Sequence, residues 1–384
     1  MNIGFDAKRA YHNNTGLGYY SRTLIGLLSQ YYPDHQYYLF NPKPSSQYQF
    51  KIPGITEILP QGFPSSLFSS AWRSSWVTKD LKRLKIDLYH GLSHEIPVGI
   101  GKTGIKSVVT IHDLIHERNP EQYNRIDVKI YSQKYRHACR HADRIIAISE
   151  QTKQDIISFY KTPAAKIEVC YQSCSPLFGI TAAEAEKARI AEKYELPPQF
   201  FLSVGTINDR KNLLGVCKAM FLLRNDIDVP LVVIGRGGGT YYKKVMDFIL
   251  QNGLQQKIIF LSDRAAGKGD KTYLATEDLP VIYQLAAAMI YPSFFEGFGA
   301  PVMEALWSRL PVITSNTSCL PEVGGDAAYY VDPNSAEDIA AAMKEVLTNK
   351  TLAAEMKEKG WQHAQAFTPQ RYAASVMNVY KSIW

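Results

Sequence analysis

Short apolar runs alternate with helix-like stretches along the first half of the chain. In the helix-like stretches apolar residues recur every three to four positions, as at Leu24, Leu27 and Leu28. Strands that helices cover on both faces have nearly continuous apolar sequences, so the alternation predicts a parallel sheet. We expect its strands at residues 3–5, 37–40, 55–59, 87–91, 107–111, 143–149 and 166–171.

The same alternation restarts in the second half. A polar run, residues 182–195, ends in Pro197-Pro198 and separates the two halves. The apolar runs that follow predict a second parallel sheet. We expect its strands at residues 200–204, 231–234, 258–261, 286–291 and 311–314.

The length also favours two domains, because 384 residues exceed what one hydrophobic core usually supports. The predicted fold class is α/β, with two Rossmann-like domains built on doubly wound parallel sheets. Their expected bounds are 1–180 and 181–367, followed by a final helix over 368–384. That helix has an apolar face at Tyr372, Val376 and Tyr380, among others.

The composition is that of a globular protein, with 46% hydrophobic and 21% charged residues. No apolar run has the length of a membrane span. The first residues lack the basic start and the apolar region of a signal peptide, so we expect a cytoplasmic protein. Five cysteines show no paired metal-ligand spacing, which favours buried thiols in a reducing compartment.

Positive charge is concentrated in the first half. Residues 1–180 contain 22 basic and 14 acidic side chains, against 21 and 22 in the remainder. Nucleic acid, an anionic membrane surface or an acidic substrate would each suit a basic half. No Lys/Arg run or nucleic-acid motif is present, so nucleic acid is the least favoured partner.

The segment of residues 63–76 interleaves aromatic residues with serines, and several lysines follow it. One interpretation is an amphipathic helix that packs on its own domain. The other is a surface that touches lipid or a lipid-linked acceptor, with peripheral binding to an anionic membrane.

A glycine-rich helix start lies in the second half. Residues 294–306 read FFEGFGAPVMEAL. Gly297 and Gly299 permit backbone conformations that a side chain forbids, and Pro301 suits the first turn of a helix, expected over 302–309. The unpaired N–H groups at such a start favour an anion such as phosphate.

Two carboxylates, Glu296 and Glu304, flank this helix start. A carboxylate only accepts hydrogen bonds and therefore suits hydroxyl groups. A ligand with phosphate in the middle and hydroxyls at each end, a nucleotide-sugar, fits the arrangement. Their spacing alone is weak evidence, since Glu304 by itself could be a solvated helix residue.

A pair of cations, Arg210 and Lys211, follows the strand that ends at Gly205-Thr206. Cations at the carboxyl end of a parallel strand suit a diphosphate, and a solvated basic turn is the alternative. A further strand end carries Arg264, and the turn after Gly235 partly mimics an NAD site.

Two candidate sites of the first half, residues 16–18 and His112, also follow predicted strands. The loop Gly16-Leu17-Gly18 lies between a strand and a helix expected from about Tyr19, a phosphate-cradle geometry. His112 follows the strand at 107–111, where side chains point into the ligand crevice of such sheets.

In these motifs the sequence resembles the GT-B glycosyltransferases of family 4, retaining enzymes with a Glu-x7-Glu motif, over nearly the whole chain. The resemblance implies two domains that face a cleft, with the last helix crossing back to the first domain. It also implies residues that contact the nucleotide-sugar: Gly16, Leu17, Gly18, Gly205, Thr206, Arg210, Lys211, Arg264, Glu296, Phe298, Gly299, Ala300, Pro301 and Glu304.

Four residues are implied to be catalytic: His112, Glu296, Arg210 and Lys211. His112 would contact the transferred sugar, Glu304 the ribose, and Glu296 the sugar hydroxyls. The two cations would neutralise the leaving diphosphate. Since no Asp-x-Asp motif with a metal-site context is present, we expect no metal or other cofactor.

The motifs look most like those of bacterial mannosyltransferases that extend surface polysaccharides, which implies GDP-mannose as the donor and a saccharide or lipid-linked saccharide as the acceptor. UDP-glucose and UDP-N-acetylglucosamine are the next donors. The same motifs leave three further classes of protein open: a nucleotide-sugar epimerase, an NAD-linked oxidoreductase and a non-enzymatic sugar-binding protein.

Overall fold

The computed structural model describes residues 1–264 and 274–384, which divide into two compact units. Unit 1 consists of residues 1–173 and 369–384, and unit 2 of residues 174–368. The sequence pattern places the first boundary at 180, seven residues later than this division. The difference arises because Phe178 packs edge-on against Tyr283, with ring centroids 5.2 Å apart, within unit 2.

Unit 1 contains a seven-stranded sheet in which all neighbours are parallel, in the order β3-β2-β1-β4-β5-β6-β7. Its central strands are buried on both faces, as their apolar sequences predict. The bounds are β1 Asn2–Asp6, β2 Gln36–Phe40, β3 Ile55–Ile58, β4 Leu88–Gly91, β5 Lys106–Ile111, β6 Arg144–Ala147 and β7 Ile167–Val169.

Helices accompany this sheet, and their apolar faces contribute to its core. Ser149 caps α7 as its position predicts, since its Oγ accepts from the Thr152 N–H. The last helix, α16, buries Tyr372, Val376 and Tyr380 in unit 1. The bounds are α1 Lys8–His12, α2 Gly16–Tyr31, α3 Ser69–Ala71, α4 Val77–Arg83, α5 Ile115–Arg118, α6 Arg125–His141, α7 Glu150–Tyr160 and α16 Pro369–Lys381.

Unit 2 contains a six-stranded parallel sheet in the order β10-β9-β8-β11-β12-β13. The strands β9, β11 and β12 are buried throughout. The bounds are β8 Phe201–Val204, β9 Leu231–Ile234, β10 Ile258–Phe260, β11 Ala288–Tyr291, β12 Val312–Ser315 and β13 Tyr329–Val331.

The helices of unit 2 supply a second apolar core. Their bounds are α8 Glu184–Lys193, α9 Leu213–Leu222, α10 Gly239–Gln251, α11 Leu279–Leu285, α12 Ala300–Trp307, α13 Leu320–Gly324, α14 Ala336–Thr348 and α15 Lys350–Ala364.

Several local predictions are corrected. The stretch Gly16-Leu17-Gly18 is the first turn of α2 and not a loop before it. Asn13 supports this turn, because its Oδ1 accepts from the N–H groups of Thr15 and Gly18 and so satisfies a donor at the helix start. The helix expected over 302–309 begins two residues earlier, at Ala300.

In the segment 63–76 the structure confirms packing on its own domain for Trp72, and contact with lipid stays a prediction. Trp72 is buried, and helical structure runs from Ser69 through a π-helical turn, Trp72–Trp76, into α4. The preceding residues are exposed. All five cysteines are free and buried, in line with the expectation of buried thiols. Within residues 1–264 and 274–384, no helix is both long and apolar enough to span a membrane.

Candidate active site

Three charged candidate residues of unit 2, Arg210, Lys211 and Glu296, lie in the loops that follow β8 and β11. These strands are parallel neighbours, so the loops after their carboxyl ends, residues 205–212 and 292–299, share one edge of the sheet. A backbone hydrogen bond of 2.9 Å, from Phe294 N–H to the Arg210 carbonyl, joins the two loops. In parallel α/β sheets this edge is where ligands bind.

Arg210, Lys211 and Glu296 form an ion-pair cluster. Arg210 Nη1 lies 2.6 Å from Glu296 Oε2, and Lys211 Nζ lies 2.9 Å from Glu296 Oε1. Arg210 Nη1 also donates to the Phe295 carbonyl at 2.6 Å. The three charges sum to +1, and the side chains are only 10–18% exposed. The cluster therefore has positive charge with which to bind a diphosphate.

Tyr291, the last residue of β11, connects two members of this ion-pair cluster. Its hydroxyl donates to Glu296 Oε1 at 2.9 Å and accepts from the Lys211 ammonium, which also lies 4.7 Å from the centre of the ring. The tyrosine thus fixes the Lys211 ammonium through a hydrogen bond and a cation–π contact.

The two cations determine the charge state of Glu296. Burial alone would raise the pKa of Glu296, but the charges of Lys211 and Arg210 override burial and hold that pKa at about 2. Burial lowers the pKa of Lys211, while Glu296 opposes that change and Arg210 reinforces it. Glu296 is therefore a carboxylate at neutral pH.

The turn that presents the two cations is fixed by asparagines and a glycine. Asn208 Oδ1 accepts from the Lys211 N–H at 3.1 Å, and Asn212, in the left-handed region, caps α9 through the Gly215 N–H. Gly205 has φ +141°, and a Cβ there would lie 2.8 Å from Lys211 Cδ. The glycine therefore leaves room for the lysine side chain.

Glu304 lies in α12 and is partly buried. Its Oε2 accepts from the Tyr283 hydroxyl at 2.8 Å. Burial raises the pKa of Glu304 to about 7, while the Tyr283 hydrogen bond and the charge of Lys211 oppose the rise. The Glu304 side chain is therefore fixed by the Tyr283 hydrogen bond and lies close enough to Lys211 to interact with its charge, so it is not a freely solvated residue.

The start of α12 has the features that its glycines and proline predict. Gly299 precedes the helix at φ +95°, in the left-handed region, and Ala300 and Pro301 form the first turn. Phe298 is buried, with its ring 6.1 Å from that of Phe367. The backbone around this start is therefore fixed before any ligand binds.

Other candidate residues of unit 2 have different surroundings. Thr206 is exposed, next to Gly205. Arg264 pairs with Glu195, its Nη1 3.2 Å from Oε2, and it is the last described residue before 265–273. Its contact with the nucleotide-sugar stays a prediction. At Gly235 a Cβ would lie 1.9 Å from the Gly205 carbonyl oxygen, so this glycine allows the two chain segments to approach closely.

His112 lies in unit 1, immediately after β5. It is buried, and its Nε2 lies 2.9 Å from the Leu92 carbonyl oxygen, which can only accept a hydrogen bond. Burial lowers the pKa of His112 to about 4, so the ring is neutral at physiological pH. With Nε2 as the donor, Nδ1 carries the acceptor lone pair. Tyr20 packs edge-on, 4.4 Å away.

The three residues of the α2 start differ in exposure. Gly16 is exposed, Leu17 is half-buried and Gly18 is buried. A Cβ on Gly16 would meet no heavy atom within 4 Å, so space for a ligand exists beside it.

No group of three His, Cys, Asp or Glu side chains among residues 1–264 and 274–384 is placed to hold a metal ion. In the described part of unit 2, Arg210 and Lys211 are the cations beside Glu296.

Sequence reasoning missed Tyr283 and Tyr291, the hydroxyl partners of Glu304 and Glu296. Each belongs to an apolar run, and an apolar run predicts burial without showing which side chain carries a useful hydroxyl. The last position of β11, next to Pro292-Ser293, is a signal that could have pointed to Tyr291.

Comparison with known proteins identifies two family models. The model "Glycosyltransferase Family 4" matches residues 15–173, and the model "Glycosyl transferases group 1" matches residues 186–363. Together these matches include the α2 start and His112 in unit 1, and the ion-pair cluster and Glu304 in unit 2.

Two curated relatives are mannosyltransferases of Escherichia coli. The chain is 30% identical to O-antigen chain mannosyltransferase B over 312 residues, which are 80% of this chain and 77% of that protein. It is 27% identical to the serotype-specific mannosyltransferase WbdA over 279 residues, 71% of this chain but only 33% of that longer protein.

Solved structures share the fold. Anabaena Alr3699/HepE in complex with UDP-glucose has a TM-score of 0.75 at 16% identity, and the match covers 100% of both chains. At this identity the similarity establishes the fold alone, a GT-B fold with two parallel-sheet domains.

Proposed function

Because this chain belongs to the family 4, or group 1, glycosyltransferases and is therefore a glycosyltransferase, we propose that it transfers mannose from GDP-mannose to a saccharide acceptor with retention of configuration. The observation that supports mannose is the 30% identity to an O-antigen chain mannosyltransferase over 80% of this chain.

The ion-pair cluster supports the donor half of the proposal. A nucleoside diphosphate leaving group gains negative charge as its bond to the sugar breaks. Arg210 and Lys211 would stabilise that charge, because their cations are already fixed by Glu296 and Tyr291 and need no reorganisation. This is the role that a metal ion plays in other transferases.

The carboxylates would orient the two ends of the donor. Glu304 would accept hydrogen bonds from the ribose hydroxyls. Glu296, together with the fixed backbone at residues 298–300, would contact the hydroxyls of the sugar. Glu296 is also the counter-ion of Arg210 and Lys211, so binding of the diphosphate to these cations would leave its carboxylate freer to accept from the sugar.

Retention would result from attack on the face that the leaving group occupies. The acceptor oxygen forms its bond to the anomeric carbon as the bond from that carbon to the phosphate oxygen breaks. The acceptor proton passes to the same phosphate oxygen, so no separate base is needed. His112 would accept a hydrogen bond from a hydroxyl of the transferred sugar through Nδ1.

The acceptor would be a growing surface polysaccharide, free or lipid-linked. In support, the similar O-antigen chain mannosyltransferase B is named for an O-antigen chain. The site of action would be the cytoplasm, with peripheral contact at the inner face of the membrane. No metal or other cofactor would be needed.

The second candidate donor is UDP-glucose or UDP-N-acetylglucosamine. The specific observation in its favour is that a protein of the same fold was crystallised with UDP-glucose. An epimerase would differ in needing no acceptor, and an oxidoreductase in needing NADH.

A nucleotide screen by thermal shift tests the donor. A ligand that binds only the folded protein raises Tm, so GDP, UDP and NADH distinguish these functions. We expect GDP and GDP-mannose to stabilise the protein most. A larger shift with UDP would replace the mannose proposal, and release of UDP from UDP-N-acetylglucosamine without an acceptor would favour the epimerase.

Product analysis tests the mechanism. We expect the anomeric configuration of the product, measured by NMR, to match that of the donor, and an inverted product would exclude retention. Turnover in EDTA is expected to equal turnover without it.

A further inference from the structure

A pocket at the carboxyl edge of the unit 1 sheet is not used by the donor site. It encloses about 510 Å³, a volume typical of small-molecule sites. It lies beyond the ends of β1, β2 and β4, where parallel sheets bind ligands. We call it the lysine pocket, and it is lined by Lys8, His12, Pro42, Lys43, Ser69, Ser70, Ala71, Arg73, Ser74, Glu95 and Lys134.

The ion pairs of the lysine pocket form a fixed polar floor. Arg73 binds Asp6 at 2.5 Å and Glu95 at 3.1 Å, and Lys134 reaches the same Glu95 oxygen at 3.1 Å. Arg73 and Asp6 are nearly buried. These contacts hold the pocket open in one shape and use both carboxylates.

Lys8 and Lys43 take no part in the ion pairs of the pocket floor. In the described part of the chain, no carboxylate lies within 4 Å of the ammonium groups of Lys8 and Lys43. Burial, and then the charges of Arg73 and Arg9, lowers the pKa of Lys8. The four cations of the lining and the carboxylates of Asp6 and Glu95 sum to +2. The surplus matches a ligand with about two negative charges, such as a diphosphate.

Exposed apolar side chains lie in the segment of the chain that leads into the lysine pocket. Phe63, Leu67 and Phe68 are 84%, 69% and 52% exposed, and Phe68 directly precedes the pocket residue Ser69. We call these three residues the apolar rim. Isolated exposed apolar residues are common, but three of them in the segment that leads into a cationic pocket suit an amphiphile with an anionic head.

We propose that the lysine pocket binds the diphosphate of a lipid-linked acceptor, whose hydrocarbon chain lies along the apolar rim. As an acceptor site it rests on the proposed glycosyl transfer, while binding itself can be measured without turnover. A concave pocket with a carboxylate, Glu95, in its floor fits one inserted head group better than the flat anionic surface of a bilayer.

Calorimetry with farnesyl diphosphate and with inorganic diphosphate tests the site in the full chain. Because the ion-pair cluster of unit 2 could also bind a diphosphate, each titration is repeated in a Lys211→Ala background. Binding that persists there and is lost when Lys8 and Lys43 are replaced belongs to unit 1. Loss of binding in the Lys211→Ala background would assign the signal to the donor site and overturn the proposal.

Paired variants separate the head from the tail. The double variant Lys8→Ala, Lys43→Ala is expected to weaken binding of both probes at least tenfold, since each lysine would make a charge-assisted hydrogen bond. The double variant Leu67→Ser, Phe68→Ser is expected to weaken the binding of farnesyl diphosphate about tenfold and to leave the affinity for inorganic diphosphate unchanged.

Matched controls come from unit 2. Lys357 and Leu250 are exposed there, and Lys357→Ala and Leu250→Ser should change neither affinity. Equal affinities for the wild type and the double lysine variant would overturn the proposal. So would lysine-dependent binding to phosphatidylglycerol vesicles without binding of farnesyl diphosphate, which would indicate a bilayer contact. If no nucleotide stabilised the protein in the thermal-shift screen, the proposed donor would be wrong. The titrations would still show whether the lysine pocket binds a diphosphate.

Discussion

His112 in unit 1 and the ion-pair cluster in unit 2 lie at the same edge of similar parallel sheets, but His112 is buried as a neutral group and the cluster as ions. In unit 1 the buried groups around His112 are neutral: burial lowers the pKa of His112 to about 4 and that of His90 to about 3. In unit 2 the buried groups are ions, with Glu296 at a pKa of about 2 between two cations.

Under the proposed function, this difference would give the two units different tasks. A buried imidazole avoids the cost of a buried charge by losing its proton, and it can still exchange hydrogen bonds with sugar hydroxyls. A leaving diphosphate needs permanent charge, and unit 2 keeps its cations charged by pairing them with a carboxylate. Eight of the nine histidines lie in unit 1, which fits that contrast.

The largest effect should follow from removing a cation. Lys211→Ala is expected to lower kcat by about a hundredfold to a thousandfold, the usual loss for a preorganised group that stabilises developing charge. The measurement is steady-state kinetics at saturating donor, with Tm recorded for each protein.

The control for Lys211 is Lys257→Ala, which removes a partly exposed lysine paired with the exposed Asp228 and should leave kcat unchanged. Lys211→Met keeps the aliphatic stem, so a similar loss of kcat at an unchanged Tm would separate charge from folding. Wild-type turnover in either Lys211 variant would contradict the contrast between the units.

The second effect concerns Glu304, whose pKa of about 7 places its titration in the assay range. As pH falls through 7 the side chain gains a proton and loses its charge, so nucleotide affinity should fall. Glu304→Gln should weaken nucleotide binding about tenfold to a hundredfold at pH 8 and flatten the pH dependence. Calorimetry from pH 6 to 8 measures both.

The phosphate groups of the nucleotide also titrate and contribute to the pH dependence of its affinity. The Glu304→Gln protein shows this contribution without that of Glu304. Glu337→Gln, on the exposed start of α14, serves as the matched control. A pH dependence that is identical in the wild type and Glu304→Gln would remove Glu304 from the site.

Much of this site was predictable because its residues follow strand ends. The apolar runs fix where β8 and β11 end, and parallel strands bring those ends to one edge. The sequence therefore predicts that Arg210 and Lys211 can lie near Glu296, and the ion pairs confirm this proximity.

Other features depend on tertiary contacts that no local pattern contains. Gly16 and Gly18 have low helix propensity, yet Asn13 allows α2 to start there. Tyr283 pairs with Glu304 across 21 positions of sequence. The role of Glu296 as a counter-ion also depends on tertiary packing. The sequence shows a carboxylate that suits hydroxyl groups, but it does not show that the side chains of Arg210 and Lys211 pair with it.

A smaller effect is expected in unit 1. His112→Ala should lower kcat about tenfold through loss of one hydrogen bond to the sugar. His112→Asn keeps an acceptor and should recover part of that loss. Since the wild-type ring stays neutral above its pKa of about 4, the activity ratio between the wild type and His112→Ala should be constant from pH 6 to 8. A ratio that changes through pH 6.5 would indicate a charged imidazole and contradict the contrast.

The smallest effect should come from Tyr291→Phe, which keeps the ring under Lys211 and removes only the hydroxyl between Lys211 and Glu296. Both ion pairs to Glu296 persist, so the cations stay in the site with less fixed positions. We expect kcat to fall about threefold to tenfold with KM for the donor nearly unchanged, because a positioning group matters most when charge develops. A rise in KM at constant kcat would instead show that the hydroxyl contributes to ground-state binding. If Tyr291→Phe and Lys211→Ala lowered kcat by similar factors, the precise position of the Lys211 ammonium would matter as much as its charge. The contrast between the units would then not rest on charge.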